Sequence, residues 1–97
     1  MKVILHPEAH AEMIEQALYY EAKCEGLGSD FLAAVEETTR RIGQSPKAAP
    51  IERAYIRKRL VSGFPHTVLY EIESDRIYVA AVMHQHRRPG YWRKRVE

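Results

Sequence analysis

Ile77-Tyr78-Val79-Ala80-Ala81-Val82-Met83 runs seven residues without a charge, a proline or a glycine. A half-buried strand would alternate apolar with polar residues, so an unbroken run of this length fits a central strand buried on both faces. The run ends in His84. Just upstream, Glu73-Ser74-Asp75-Arg76 reads as a turn. Before it, Phe64 to Glu73 is rich in β-branched and aromatic residues, which places Val68, Leu69, Tyr70 and Ile72 in a preceding strand. Ser62-Gly63 supplies the next turn upstream, and residues 54–61 alternate: Tyr55, Arg57, Arg59 and Val61 on one face, Ile56, Lys58 and Leu60 on the other. Residues 54–83 therefore predict a three-stranded meander.

The amino-terminal half has a different period. Val3-Ile4-Leu5 is a short strand stopped by His6-Pro7, and proline at a first helical position followed by Glu8 starts a helix. Within residues 8–25, Ala9, Met13, Ala17, Tyr20 and Cys24 recur at three- and four-residue steps, widened by Leu18, while Glu8, Glu12, Glu15 and Glu25 lie mostly off that stripe. Gly26 and Gly28 allow a reversal into a second amphipathic helix, residues 29–44, with Phe31, Leu32, Val35 and Ile42 on one face. Pro46 and Pro50 then bracket a polar connection. The chain is expected to be a single domain, residues 1–97. Its class is α+β: a two-helix hairpin packed on a mainly antiparallel four-stranded sheet in the order β-α-α-β-β-β. The pairing partner of the first strand is open.

Charge is distributed unevenly. Residues 1–50 carry five Lys/Arg against eight Asp/Glu, a net −3, whereas residues 51–97 carry ten against five, a net +5. A polyanion is expected to meet the basic half. The single cysteine, Cys24, can form no internal disulfide and has no cysteine companion for a metal site. The apolar run at residues 3–5 is too short for a signal-peptide core or a membrane span, so a soluble, unprocessed, cytoplasmic protein is expected, with no membrane partner.

Two groups of residues carry chemistry. Arg57 and Arg59 point the same way on the expected strand, and paired guanidinium groups make a platform for phosphate or carboxylate; the competing reading is an edge strand kept soluble by charge. The second group is His84-Gln85-His86-Arg87-Arg88-Pro89-Gly90-Tyr91-Trp92-Arg93-Lys94-Arg95. Its five cations, two imidazoles and two adjacent aromatics supply phosphate clamps, stacking surfaces and proton carriers. The competing reading has Tyr91 and Trp92 folding back onto the core while the cations solvate a terminus. His84 and His86, at two-residue spacing, lack a carboxylate pattern that would complete a metal site. No glycine-rich phosphate loop or serine elbow is present in the sequence.

The order β-α-α-β-β-β, the segment Phe64-Pro65-His66-Thr67-Val68-Leu69-Tyr70-Glu71-Ile72, and the ending His84-Gln85-His86-Arg87-Arg88-Pro89-Gly90-Tyr91-Trp92 together resemble the RelE/ParE toxin superfamily, also called plasmid-stabilisation toxins. The resemblance spans nearly the whole chain. It implies the toxin component of a type II toxin–antitoxin module, inhibiting growth and held inactive by a cognate antitoxin. Two targets follow from the two branches: RelE-like members are ribosome-dependent mRNA endoribonucleases, and ParE-like members are non-enzymatic poisons of DNA gyrase. A non-toxic antitoxin-binding relative is the third alternative. Neither cofactor nor metal is implied.

If RelE-like, the resemblance assigns the catalytic set to Arg57, Arg59, His86, Arg87 and Tyr91: the two arginines on the second strand, Arg87 after the fourth, and Tyr91 or His86 in the terminal role. Thr67 departs from that pattern. It stands three residues before Tyr70, where RelE-like enzymes carry an arginine.

Overall fold

The computed structural model describes residues 1–96. Its elements run β1 (Lys2–Leu5), α1 (Pro7–Lys23), α2 (Leu27–Gln44), β2 (Ile51–Arg53), β3 (Ile56–Leu60), β4 (His66–Ile72), β5 (Arg76–His84) and a single 3-10 turn at Arg93–Arg95. The His6 ring caps α1 by accepting the Glu8 N–H at 3.0 Å, and Pro7 occupies the first turn, where its missing N–H costs nothing.

The hairpin between the helices depends on two glycines and one glutamate. Gly26 adopts φ +87°, a left-handed conformation that a side chain disfavours. Gly28 lies where the helices touch: a Cβ there would sit 2.4 Å from the Ala17 carbonyl oxygen. Glu21 reaches across the turn and accepts the N–H groups of Gly26 and Gly28, each at 2.9 Å, in place of a side chain at the N-cap of α2. Those backbone bonds hold the Glu21 carboxyl below its usual range.

The α+β class and the helix hairpin are as the sequence predicts, but the sheet has five strands, not four, in the order β1-β5-β4-β3-β2. The additional strand is β2, which pairs with β3 through Ile51↔Arg57 and Arg53↔Ile56. All three of its residues are exposed, so it carries no alternation to reveal it. Ala54, at φ +49°, turns the chain between β2 and β3. The strand expected over 54–61 therefore begins only at Ile56, and Tyr55 leaves the face it was expected to share with Arg57 and Arg59. The first strand finds its partner in β5, in parallel, from Lys2↔Arg76 to Leu5↔Val79. The other pairings are antiparallel, and the sheet is mixed.

Both faces of the sheet are covered. Val68, Tyr70, Ile77, Val79 and Val82 pack with Ala9, Ala17, Phe31, Val35 and Ile42 of the helices. On the other face, Ile56, Leu69, Ala80 and Ala81 form a smaller core with Trp92, which is 4% exposed. The indole thus folds back onto the sheet. Double-sided burial is what the apolar run at residues 77–83 requires, and β5 is an interior strand between β1 and β4.

Candidate functional site

β1 pairs with β5 only as far as Val79, so the edge of β5 beyond that point has no strand beside it. Side chains take its place. Glu12 of α1 accepts the Val82 N–H at 3.2 Å, and Arg95 donates to the Ala80 carbonyl at 3.1 Å.

The same carboxylate gathers the carboxy-terminal segment. Arg95 grips Glu12 with two prongs, Nη1 to Oε1 at 3.0 Å and Nη2 to Oε2 at 3.1 Å, and the Tyr91 hydroxyl donates to Oε2 at 2.6 Å. The side chains of Glu12 and Arg95 are only 13% and 9% exposed. Arg87 stands at the rim: its guanidinium lies 3.9 Å from the centre of the Tyr91 ring and 3.8 Å from Glu12 Oε2, and its side chain is half exposed. Burial, followed by the hydrogen bond and charge of Glu12, pushes the Tyr91 hydroxyl far above its ordinary pKa. That phenol is a fixed hydrogen-bond donor at neutral pH.

Three histidines line up beside this cluster. His66, buried on β4 and paired with His84 in the sheet, is edge-on to the His84 ring with centroids 5.0 Å apart; His84 and His86 are 5.2 Å apart. The His86 N–H donates to His84 Nδ1 at 3.0 Å, which leaves the His84 proton on Nε2 when the ring is neutral. His66 Nε2 donates to Gln16 Oε1 at 3.0 Å, while its Nδ1 has no partner among the described residues. Burial, then the neighbouring His84, lowers the His66 pKa to about 4. His86 is exposed.

The five residues singled out from the sequence fall into two places. Arg87 and Tyr91 come together beyond the end of β5, with the exposed His86 next to Arg87 in the chain, whereas Arg57 and Arg59 lie on β3, separated from β5 by β4. At the usual strand spacing that is roughly 10 Å between backbones. Arg57 Nη1 donates to the carbonyls of Ala49 at 2.7 Å and Lys47 at 3.3 Å, and the Tyr70 hydroxyl donates to that of Pro46 at 2.6 Å, so these two side chains pin the loop before β2. Arg59 shares a shallow recess with Glu37, Thr38 and Arg41 of α2. Thr67 is buried, pairs with Leu60 and Met83, and offers no cation at the third-strand position.

Sequence reasoning missed Glu12 and the use of Arg95. Glu12 looks like Glu8 and Glu15 in spacing, and its partners lie 79 and 83 residues away, so no local pattern marks it.

The model for the ParE toxin of type II toxin–antitoxin systems (parDE) matches residues 3–89. The chain belongs to the ParE toxin family. It is accordingly the toxin-type member of a toxin–antitoxin pair, with an antitoxin as its partner. Among solved structures it is similar in fold to a chain of the chromosomal ParDE toxin–antitoxin system of P. aeruginosa, with a TM-score of 0.63 and 13% identity over 87% of this chain and 95% of that one. A search of curated proteins finds no match. Among the described residues no helix is long and apolar enough to cross a membrane.

Proposed function

We propose that this ParE-family chain arrests growth by binding rather than by catalysis, docking the basic surface around Arg87 on DNA gyrase. The observation that carries this reading is the way the expected catalytic set is spent. Cleavage through a ribose 2′-hydroxyl needs a base, an acid and cations converging on one phosphate. Here Arg57 is engaged with loop carbonyls, the Tyr91 phenol is committed to Glu12, and Thr67 stands where a third-strand arginine is needed. What remains exposed in the carboxy-terminal segment is Arg87 and Arg88 with His86, and further on Arg93 and Lys94, cations able to bind.

A second reading, ribosome-dependent mRNA cleavage, is favoured by His84, which lines the same recess as Arg87 and Tyr91 and stands edge-on to the exposed His86, because an imidazole beside a guanidinium can move a proton at a phosphate. The cognate antitoxin contributes acidic side chains to the same cations in either case. Purified toxin tests the two readings side by side. Gyrase supercoiling inhibited with mRNA uncut on ribosomes supports docking; mRNA cut at ribosomes with gyrase unaffected supports catalysis. Neither effect leaves a non-toxic antitoxin-binding relative.

A further inference from the structure

Glu12 faces two arginines and holds them differently, with the exposed Glu8 adding a second carboxylate 3.5 Å from Arg95 Nε. Arg95 is neutralised by a buried two-pronged pair, while Arg87 is held only at the rim, 3.8 Å away, with its guanidinium lying on the Tyr91 ring. The ring under Arg87 is itself fixed by its hydroxyl on Glu12. The second Arg95 contact, to the Ala80 carbonyl, and the Glu12 contact to the Val82 N–H tie the whole assembly to the open edge of β5. Arg95 is matched by Glu12 and, at 3.5 Å, by Glu8, while Arg87 stays half exposed on a shelf fixed by the Glu12 carboxylate.

We propose that Glu12 is the positioning residue of the Arg87 surface: it latches residues 91–95 onto α1 and β5 and thereby sets where the Arg87 guanidinium is presented. Without the carboxylate, the Arg95 guanidinium tips, the Tyr91 phenol and the Val82 N–H lose their partly buried acceptor, Glu8 remains only on the exposed side of Arg95, and the segment shifts to satisfy them. The inference rests on Arg87 being the docking cation, so its test includes Arg87 itself.

The experiment compares Glu12→Gln, Glu12→Ala, Arg87→Ala and the double variant Glu12→Gln/Arg87→Ala for growth inhibition at graded induction. Tyrosine-labelled NMR of the purified full chain follows Tyr91. Glu12→Gln keeps the size and an acceptor oxygen, so it carries the test if Glu12→Ala does not fold. The expected result is that Glu12→Gln loses growth inhibition as Arg87→Ala does, and that the double variant is no weaker than either, since the two act as one unit. Tyr91 in Glu12→Gln should titrate at lower pH than in the parent. Sodium formate should restore the parent Tyr91 signal in Glu12→Ala, and sodium chloride at equal ionic strength should not. Full toxicity of Glu12→Gln beside a non-toxic Arg87→Ala overturns the positioning role and leaves the docking surface standing. Full toxicity of all the variants overturns both. Losses that add in the double variant, or an unmoved Tyr91 titration, also overturn the latch.

Discussion

Arg57 donates a hydrogen bond to the Ala49 carbonyl at 2.7 Å, from the strand that follows β2 to the loop that precedes it. The sequence shows this arginine paired with Arg59 on one strand face, yet only Arg57 is anchored in this way. Arg57→Ala should lower stability by about 1.5–3 kcal/mol, the range for a hydrogen bond to a charged group. Arg59→Ala should stay within about 0.5 kcal/mol, as surface substitutions do. Urea unfolding of both variants checks the contrast, and equal losses would show that Arg57 does not hold the loop.

His66 makes stability depend on pH. Its folded pKa, about 4, lies below the unfolded value of about 6.5, so between those values the unfolded chain binds a proton that the folded chain does not. Stability should fall as pH drops from about 6.5 to about 4, by on the order of 3 kcal/mol from this group, and its contribution should level off below that window. His66→Phe, which keeps a ring against Tyr20 and Phe31, should flatten this part of the profile. Denaturant unfolding at a series of pH values gives the slope. An unchanged slope in the variant would assign the acid sensitivity to other groups.

Gly28 sets the spacing of the helix hairpin. Gly28→Ala places a methyl 2.4 Å from the Ala17 carbonyl and 2.9 Å from Glu21 Cβ, so the helices must separate and the Glu21 cap must be disturbed. A loss of about 2 kcal/mol is expected, the scale of overpacking a tight contact. In a domain of this size that corresponds to a fall in Tm of roughly 8–16 °C. A thermal melt within a degree of the parent would contradict the close approach.

The meander and the hairpin were legible because each carries its own period: the unbroken run that became β5, and the three-and-four spacing around Ala17 and Phe31. What was not legible is non-local. β2 is three exposed residues, too short to show a period. The parallel pairing of Val3 with Ile77 joins residues from opposite ends of the chain. At the candidate site, the run from His84 to Arg95 drew attention to the segment that meets Glu12, but did not show how its members divide. Arg95 is nearly buried on Glu12 while Arg87 stays half exposed, and that difference is set by a carboxylate on α1.

The antitoxin should stabilise this fold as well as silence it. Like charges gathered around Arg87 repel one another in the free chain, and an acidic segment bound to the folded state alone adds stability by mass action. The purified complex should melt several degrees above the isolated toxin, with the gain shrinking as salt is raised. Identical melting of the two would remove the acidic segment from the account.

Docking at Arg87 and cutting of RNA leave different traces in a cell. The measurement is induction followed, in the same culture, by pulse-labelled translation and gyrase-dependent DNA breaks, for the parent, Arg87→Ala and His86→Gln. With docking at Arg87, DNA breaks should precede any fall in translation, Arg87→Ala should nearly abolish them, and His86→Gln should leave them intact. Translation failing first with cut mRNA, and a loss of roughly 10²-fold in His86→Gln, the scale of a missing general acid or base, would contradict it.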